Sequence, residues 1–132
     1  MDKATRHLVR QRADNRCEYC QLHQSNESAL PFHLDHVIAI KHRGSDDMEN
    51  LALACGVCNR AKGTDLAGID PDSGTLTRLF NPRTDLWADH FLRDGPLILG
   101  KSAIGRATAW VLQMNVEQRV ELRTLLLKLG EL

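Results

Sequence analysis

Two Cys-x-x-Cys pairs, Cys17/Cys20 and Cys55/Cys58, constrain what this chain can fold into more than any other feature. A Cys-x-x-Cys turn can set both sulfurs on one tetrahedral ion, at metal–sulfur distances of about 2.3 Å. Two such turns, with 34 residues between them, predict a four-thiolate zinc clamp joining distant segments. All four cysteines of the chain fall in the pairs, leaving none over. Two disulfides would satisfy the same count. Met1–Arg10 is polar and charged, without the apolar run of a signal peptide. No stretch reaches the apolar length needed to cross a bilayer, so no membrane partner is expected. The expected setting is the cytoplasm, where thiols stay reduced and zinc is favoured over disulfides. A closed four-thiolate site has no open coordination position, so this zinc is expected to be structural.

With 132 residues, the expectation is one domain spanning 1–132. At 42% hydrophobic and 26% charged residues, it can bury a core and is no disordered tail. Its 17 basic and 17 acidic residues cancel, which excludes a global basic field for polyanions. The balance is uneven, however. Lys3, Arg6, Arg10, Arg12 and Arg16 meet only Asp2 and Asp14 in the first sixteen residues, so a local phosphate-binding patch is possible.

Pattern predicts a basic helix over Ala4–Ala13 and a strand over Phe32–Ile40, where Val37, Ile38 and Ile40 supply β-branched content. A polar loop follows over Lys41–Glu49, then an apolar strand at Leu51–Ala54. A helix over Cys55–Lys62 is stopped by Gly63. Beyond it, Asp70-Pro71-Asp72-Ser73-Gly74 signals a turn. Short strands are expected at Thr75–Phe80, Trp87–Leu92 and Pro96–Leu99. Helices are expected at Ile104–Met114 and Val116–Leu129, with Asn115 as N-cap and Gln118 completing a capping box.

Between the cysteine pairs stand Asp35-His36 and Asn50, and Asn59 directly follows Cys58. Adjacent strand residues point to opposite faces, so Asp35 and His36 are either neighbours at a strongly twisted or bulged strand end or flank one site from different angles. Alone, Asp-His is commoner as a surface pair. Asn50 alone suggests turn chemistry, Asn59 a solvated helix residue, and Lys62 a charge complementing the helix dipole. His33 and His42 read as residues flanking the site or lying on the surface. The position of Asp35-His36 inside the clamp sets this dipeptide apart, because a bare zinc clamp needs neither residue.

Together, Cys17-Glu18-Tyr19-Cys20, Leu34-Asp35-His36-Val37, Asn50-Leu51 and Cys55-Gly56-Val57-Cys58-Asn59-Arg60-Ala61-Lys62-Gly63 resemble the zinc-containing branch of the HNH endonucleases. The resemblance covers about residues 12–63. It implies an α+β chain built on a zinc-clamped ββα-metal core, with residues 64–132 as an extension of short strands and two C-terminal helices. It implies His36 as general base, Asn50 as the asparagine that fixes the loop, and Asp35 and Asn59 as ligands of a catalytic divalent ion. Asn59 stands where histidine completes the signature, and Gly63 where some members carry another histidine. Oxygen ligands favour a hard ion, so Mg2+ or Mn2+ is the expected cofactor beside structural Zn2+.

The expected activity is hydrolysis of phosphodiester bonds in nucleic acid, with DNA the favoured substrate. Arg10, Arg12, Arg16, Arg60 and Lys62 are the candidate backbone contacts, joined by Arg83 and Arg106. The alternative is a non-catalytic zinc module that binds nucleic acid or a protein. The tail, with Leu79-Phe80-Asn81-Pro82-Arg83, Trp87, His90-Phe91 and Gly105-Arg106-Ala107-Thr108, is similar to that of small stand-alone bacterial HNH proteins. It is expected to be structural, with Asp89-His90 on the surface or in a supporting role behind a site.

Overall fold

The computed structural model describes residues 1–132, which divide into two compact units. The first comprises Met1–Leu66 and Asn81–Asp85. It begins with helix α1, Lys3–Arg12, whose first turn is capped by the Asp2 carboxylate accepting from the Thr5 amide at 2.8 Å. Strands β1, His33–His36, and β2, Leu51–Ala54, form an antiparallel hairpin in which Asp35 pairs with Ala52 and His36 with Leu51. Helix α2, Gly56–Lys62, packs on β1, and α1 packs on β2. Leu51-Ala52-Leu53-Ala54 has no polar alternation, and all four residues are buried.

Strand β1 is shorter than expected. The expected strand ran on to Ile40, but pairing stops at His36 and Ile40–His42 is a single 3-10 turn. The cause is Asn50. Its side-chain oxygen accepts from the Ile38 amide at 2.9 Å, and its Nδ2 donates to the carbonyls of Ile38 and Ser45 at 2.9 and 2.8 Å. The Ile38 backbone is therefore bonded to a side chain rather than to a neighbouring strand. Gly44 lies so close to this staple that a Cβ there would sit 1.7 Å from the Ile38 carbonyl oxygen.

The second unit comprises Ala67–Phe80 and Leu86–Leu132. Hairpin β3–β4, Ala67–Ile69 with Leu76–Arg78, closes over the expected Asp70–Gly74 turn. Residues 67–69 carry no alternating pattern to mark them as a strand. Trp87–His90, expected to open a strand, instead forms one helical turn, α3. It leads into hairpin β5–β6, Phe91–Asp94 with Leu97–Gly100. Phe91 is buried, with Phe80 at 5.2 Å and Trp87 at 5.1 Å between ring centroids.

Helices α4, Ala103–Val111, and α5, Glu117–Lys128, complete this unit. Asn115 does not cap α5 as expected. Its amide bonds both backbone groups of Ile98 at 2.9 and 2.7 Å, and the N-cap position falls to Val116. Arg119 donates to the carbonyl of Leu112 beyond α4, at 3.0 Å, in place of water. No helix is long and apolar enough to cross a membrane.

Candidate functional site

The four cysteine sulfurs lie within 4.8 Å of one another, and all four residues are buried. Cys20 and Cys55 stand 3.7 Å apart at sulfur. That is far beyond a disulfide bond of about 2.05 Å and matches the edge of about 3.8 Å of a tetrahedron with metal–sulfur bonds of about 2.3 Å. In each pair the second amide points at the first sulfur, Cys20 N to Cys17 Sγ and Cys58 N to Cys55 Sγ, both at 3.4 Å. Burial pushes the Cys17 thiol up, so without a cation it keeps its proton. The donor set therefore fits a structural metal such as zinc, and it fixes α2 against the Cys17–Cys20 turn.

The alternation of β1 turns Asp35 inward and His36 outward. Asp35 is buried at 5% exposure. Its Oδ2 accepts from the Tyr19 hydroxyl at 2.6 Å and lies 3.2 Å from the Lys62 ammonium. Burial pushes the Asp35 carboxyl up, opposed by Lys62 and the Tyr19 bond. Burial and the Asp35 charge together hold the Tyr19 phenol well above its ordinary value, so Tyr19 remains a donor.

On the other face, His36 Nε2 lies 2.7 Å from Asp46 Oδ1. A carboxylate only accepts, so Nε2 carries the proton and Nδ1 is left as the basic ring nitrogen. Asp46 belongs to the loop that Asn50 and Gly44 hold closed.

Asp35, His36, Lys41 and Asn59 line one cleft of about 330 Å³, with Gly63 at its edge. Asn50 is not among its walls. Lys62, expected to be available to a phosphate backbone, is instead 2% exposed, because Asp35 and the His36 carbonyl at 3.0 Å hold it inside. Arg12 commits its guanidinium to the carbonyls of Met48 and Leu51, at 2.9 and 2.6 Å. Arg10 donates to the Phe32 carbonyl at 3.0 Å and Arg16 to that of Gln21 at 3.2 Å, while Arg60 is exposed. Arg83 is paired with Glu18, and Arg106 forks onto Asp70 at 2.9 Å through both nitrogens, so each guanidinium already has a carboxylate partner. His90 Nδ1 meets Ser102 Oγ at 2.7 Å.

Sequence reasoning did not identify Asp46, Tyr19 or the internal role of Lys62. The signal for Asp46 is weak, one acid in a Gly-Ser-Asp-Asp loop ten residues after its partner.

Residues 17–65 match the sequence model of the HNH endonuclease family. No curated protein and no solved structure matches the chain. The HNH segment contains the four cysteines, Asp35, His36, Asp46, Asn50, Asn59 and Lys62, that is, the whole of the cleft and clamp described above. It supports a nuclease-family function, with nucleic acid as the substrate class.

A second cation is a separate matter from the clamp. Asp35 and Asn59 both line the cleft, and each carries side-chain oxygen of the kind a hard divalent ion takes. A carboxylate has about four lone-pair sites, so Tyr19 and Lys62 do not exhaust Asp35. Lys62 does balance its charge, and any cation binding there shares the carboxylate with that ammonium.

Proposed function

We propose that this chain is a metal-dependent endonuclease hydrolysing phosphodiester bonds, with DNA as substrate. The observation that carries the reading is the oriented imidazole of His36. Asp46 holds its Nε2 proton, and the ring borders a cleft shared with Asp35 and Asn59. His36 Nδ1 takes the proton from the attacking water. Asp46 orients the ring and stabilises the imidazolium that forms. Asp35 and Asn59 would hold Mg2+ or Mn2+. Such an ion would supply Lewis-acid stabilisation of charge on the scissile phosphate and the departing oxygen. Asn50 keeps the loop bearing Asp46 in register with β1. A reduced, cytoplasmic setting suits the four thiolates of the zinc clamp.

A second reading, a non-catalytic zinc module that binds nucleic acid, is favoured by the Lys62 ammonium already balancing Asp35. Supercoiled plasmid incubated with and without Mg2+ or Mn2+ separates the two. The nuclease reading expects metal-dependent nicking or linearisation. It expects a loss of about 10²–10⁴-fold in His36→Ala at unchanged zinc content. Asp46→Asn, which keeps the ring but weakens its orientation, is expected to lower the rate by a smaller factor. Cutting by His36→Ala at the wild-type rate would remove His36 from the base role.

A further inference from the structure

A second cleft, of about 490 Å³, lies between α1 and the segment leading into β1. Arg6, Arg10, Phe32, His33, Leu34 and Asn59 are among its walls, and no lining residue is acidic. In a chain whose 17 acidic residues equal its basic ones, an acid-free cleft with two arginines is a local concentration of charge. Leu34 and Asn59 also line the cleft of Asp35 and His36, so the two depressions share a wall at those residues.

Helix α1 explains the charge. Lys3, Arg6, His7 and Arg10 stand at positions i, i+3, i+4 and i+7, which form one stripe along a helix. Lys3, Arg6 and His7 are exposed. The one acid among the first thirteen residues, Asp2, is occupied by the Thr5 amide as N-cap. Arg6 and Arg10 lie one turn apart, about 6 Å along the axis, so each can meet its own phosphate. Arg10 is already aimed, because the Phe32 carbonyl holds its guanidinium at 3.0 Å. A solvated basic helix face needs no cleft beneath it, nor a shared wall with the candidate catalytic cleft.

We infer that this cleft is a polyanion-binding track, which takes the sugar–phosphate backbone of the nucleic-acid strand on one side of the cut, with successive phosphates over Arg6 and Arg10. The inference rests on the nuclease reading above and extends it to residues outside the HNH segment. Phosphate contacts of this kind position a strand without reading its sequence, so the track favours no base.

The test is binding of a fluorescein-labelled 20-base-pair duplex by fluorescence anisotropy, without added divalent ion, across a salt series. Wild-type protein, Arg6→Glu, Lys3→Glu/Arg6→Glu and a control in the second unit, Lys128→Glu, are compared at equal zinc content and equal circular dichroism. Arg6→Glu is expected to bind about tenfold more weakly, and the slope of log affinity against log salt to fall by about 0.9 for the lost contact. The double variant weakens binding further, and Lys128→Glu leaves it unchanged. Binding by Arg6→Glu equal to wild type, or loss no greater than in Lys128→Glu, would overturn the track while leaving the plasmid assay to judge the nuclease reading. A wild-type protein that neither binds the duplex nor cuts plasmid would overturn both.

Discussion

The ammonium of Lys62 lies 3.2 Å from the Asp35 carboxylate, with both side chains closed off from solvent at 2% and 5% exposure. Such a pair is costly to break from one side, because the remaining charge is buried alone. Lys62→Met is therefore expected to destabilise the first unit by about 3–5 kcal/mol. Lys62→Met/Asp35→Asn, which removes both charges, should recover part of that loss. Urea unfolding followed by far-UV circular dichroism measures both. If Asp35 also holds a divalent ion, Mg2+ should raise the melting temperature of Lys62→Met more than that of wild type.

The zinc clamp is expected to hold one zinc per chain, detectable by elemental analysis of protein purified without chelator. Cys58→Ser should release it and unfold the α2 region, since metal affinity at such sites is largely folding free energy. Thiols found paired as disulfides in a zinc-free protein would contradict the 3.7 Å separation of Cys20 and Cys55.

Gly44 and Asn50 act on one loop. Gly44→Ala puts a methyl group 1.7 Å from the Ile38 carbonyl oxygen and 2.9 Å from the Asn50 amide nitrogen, so the loop must move. A cost of about 1–3 kcal/mol is expected for such overpacking. Asn50→Asp keeps an acceptor for the Ile38 amide but removes the donors to the Ile38 and Ser45 carbonyls. Both variants should reduce cleavage more than Arg60→Ala, through displacement of Asp46. Thermal melts beside plasmid assays separate the two effects.

Asp70 makes the second unit sensitive to acid. Its buried carboxylate accepts two bonds from Arg106 and one from Ser73 at 2.7 Å, which hold its carboxyl well below the usual carboxylate range. A carboxyl lowered on folding stabilises the fold above its unfolded pKa of about 3.9. That contribution is lost as pH falls through the lowered folded value. Asp70→Asn should be less stable at pH 7 and should show less further loss below pH 4 than wild type. The chain's two tryptophans, Trp87 and Trp110, both lie in this unit, so their fluorescence during urea unfolding at pH 7 and pH 3 reports it alone.

The elements that a reader of the sequence can place are those whose signals are local. Tetrahedral coordination dictates the Cys-x-x-Cys spacing, apolar continuity marks β2, and Gly63 stops α2. The features that escape are set by partners far away in sequence. Ile38 looks like a strand residue until Asn50, twelve positions on, takes its backbone bonds. Lys62 looks like a surface charge at a helix end until the fold places Asp35, 27 positions back, beneath it. Asn115 has the sequence of a helix cap, but Ile98 offers it two backbone bonds instead of one. In the candidate site, the residue types between the cysteine pairs were legible, whereas Asp46 and Tyr19, which orient them, were not.

The pairing of β1 with β2, Asp35 opposite Ala52 and His36 opposite Leu51, makes chain length at this strand a chemical variable. Removing one residue ahead of Asp35 in β1 would reverse the parity of the strand, taking the carboxylate away from Tyr19 and Lys62 and turning the imidazole inward in its place. No side chain would have been altered, yet acid and base would have exchanged neighbours. A one-residue change of length within β1 therefore disturbs both residues at once, whereas a change in the connection between β1 and β2 leaves this parity intact.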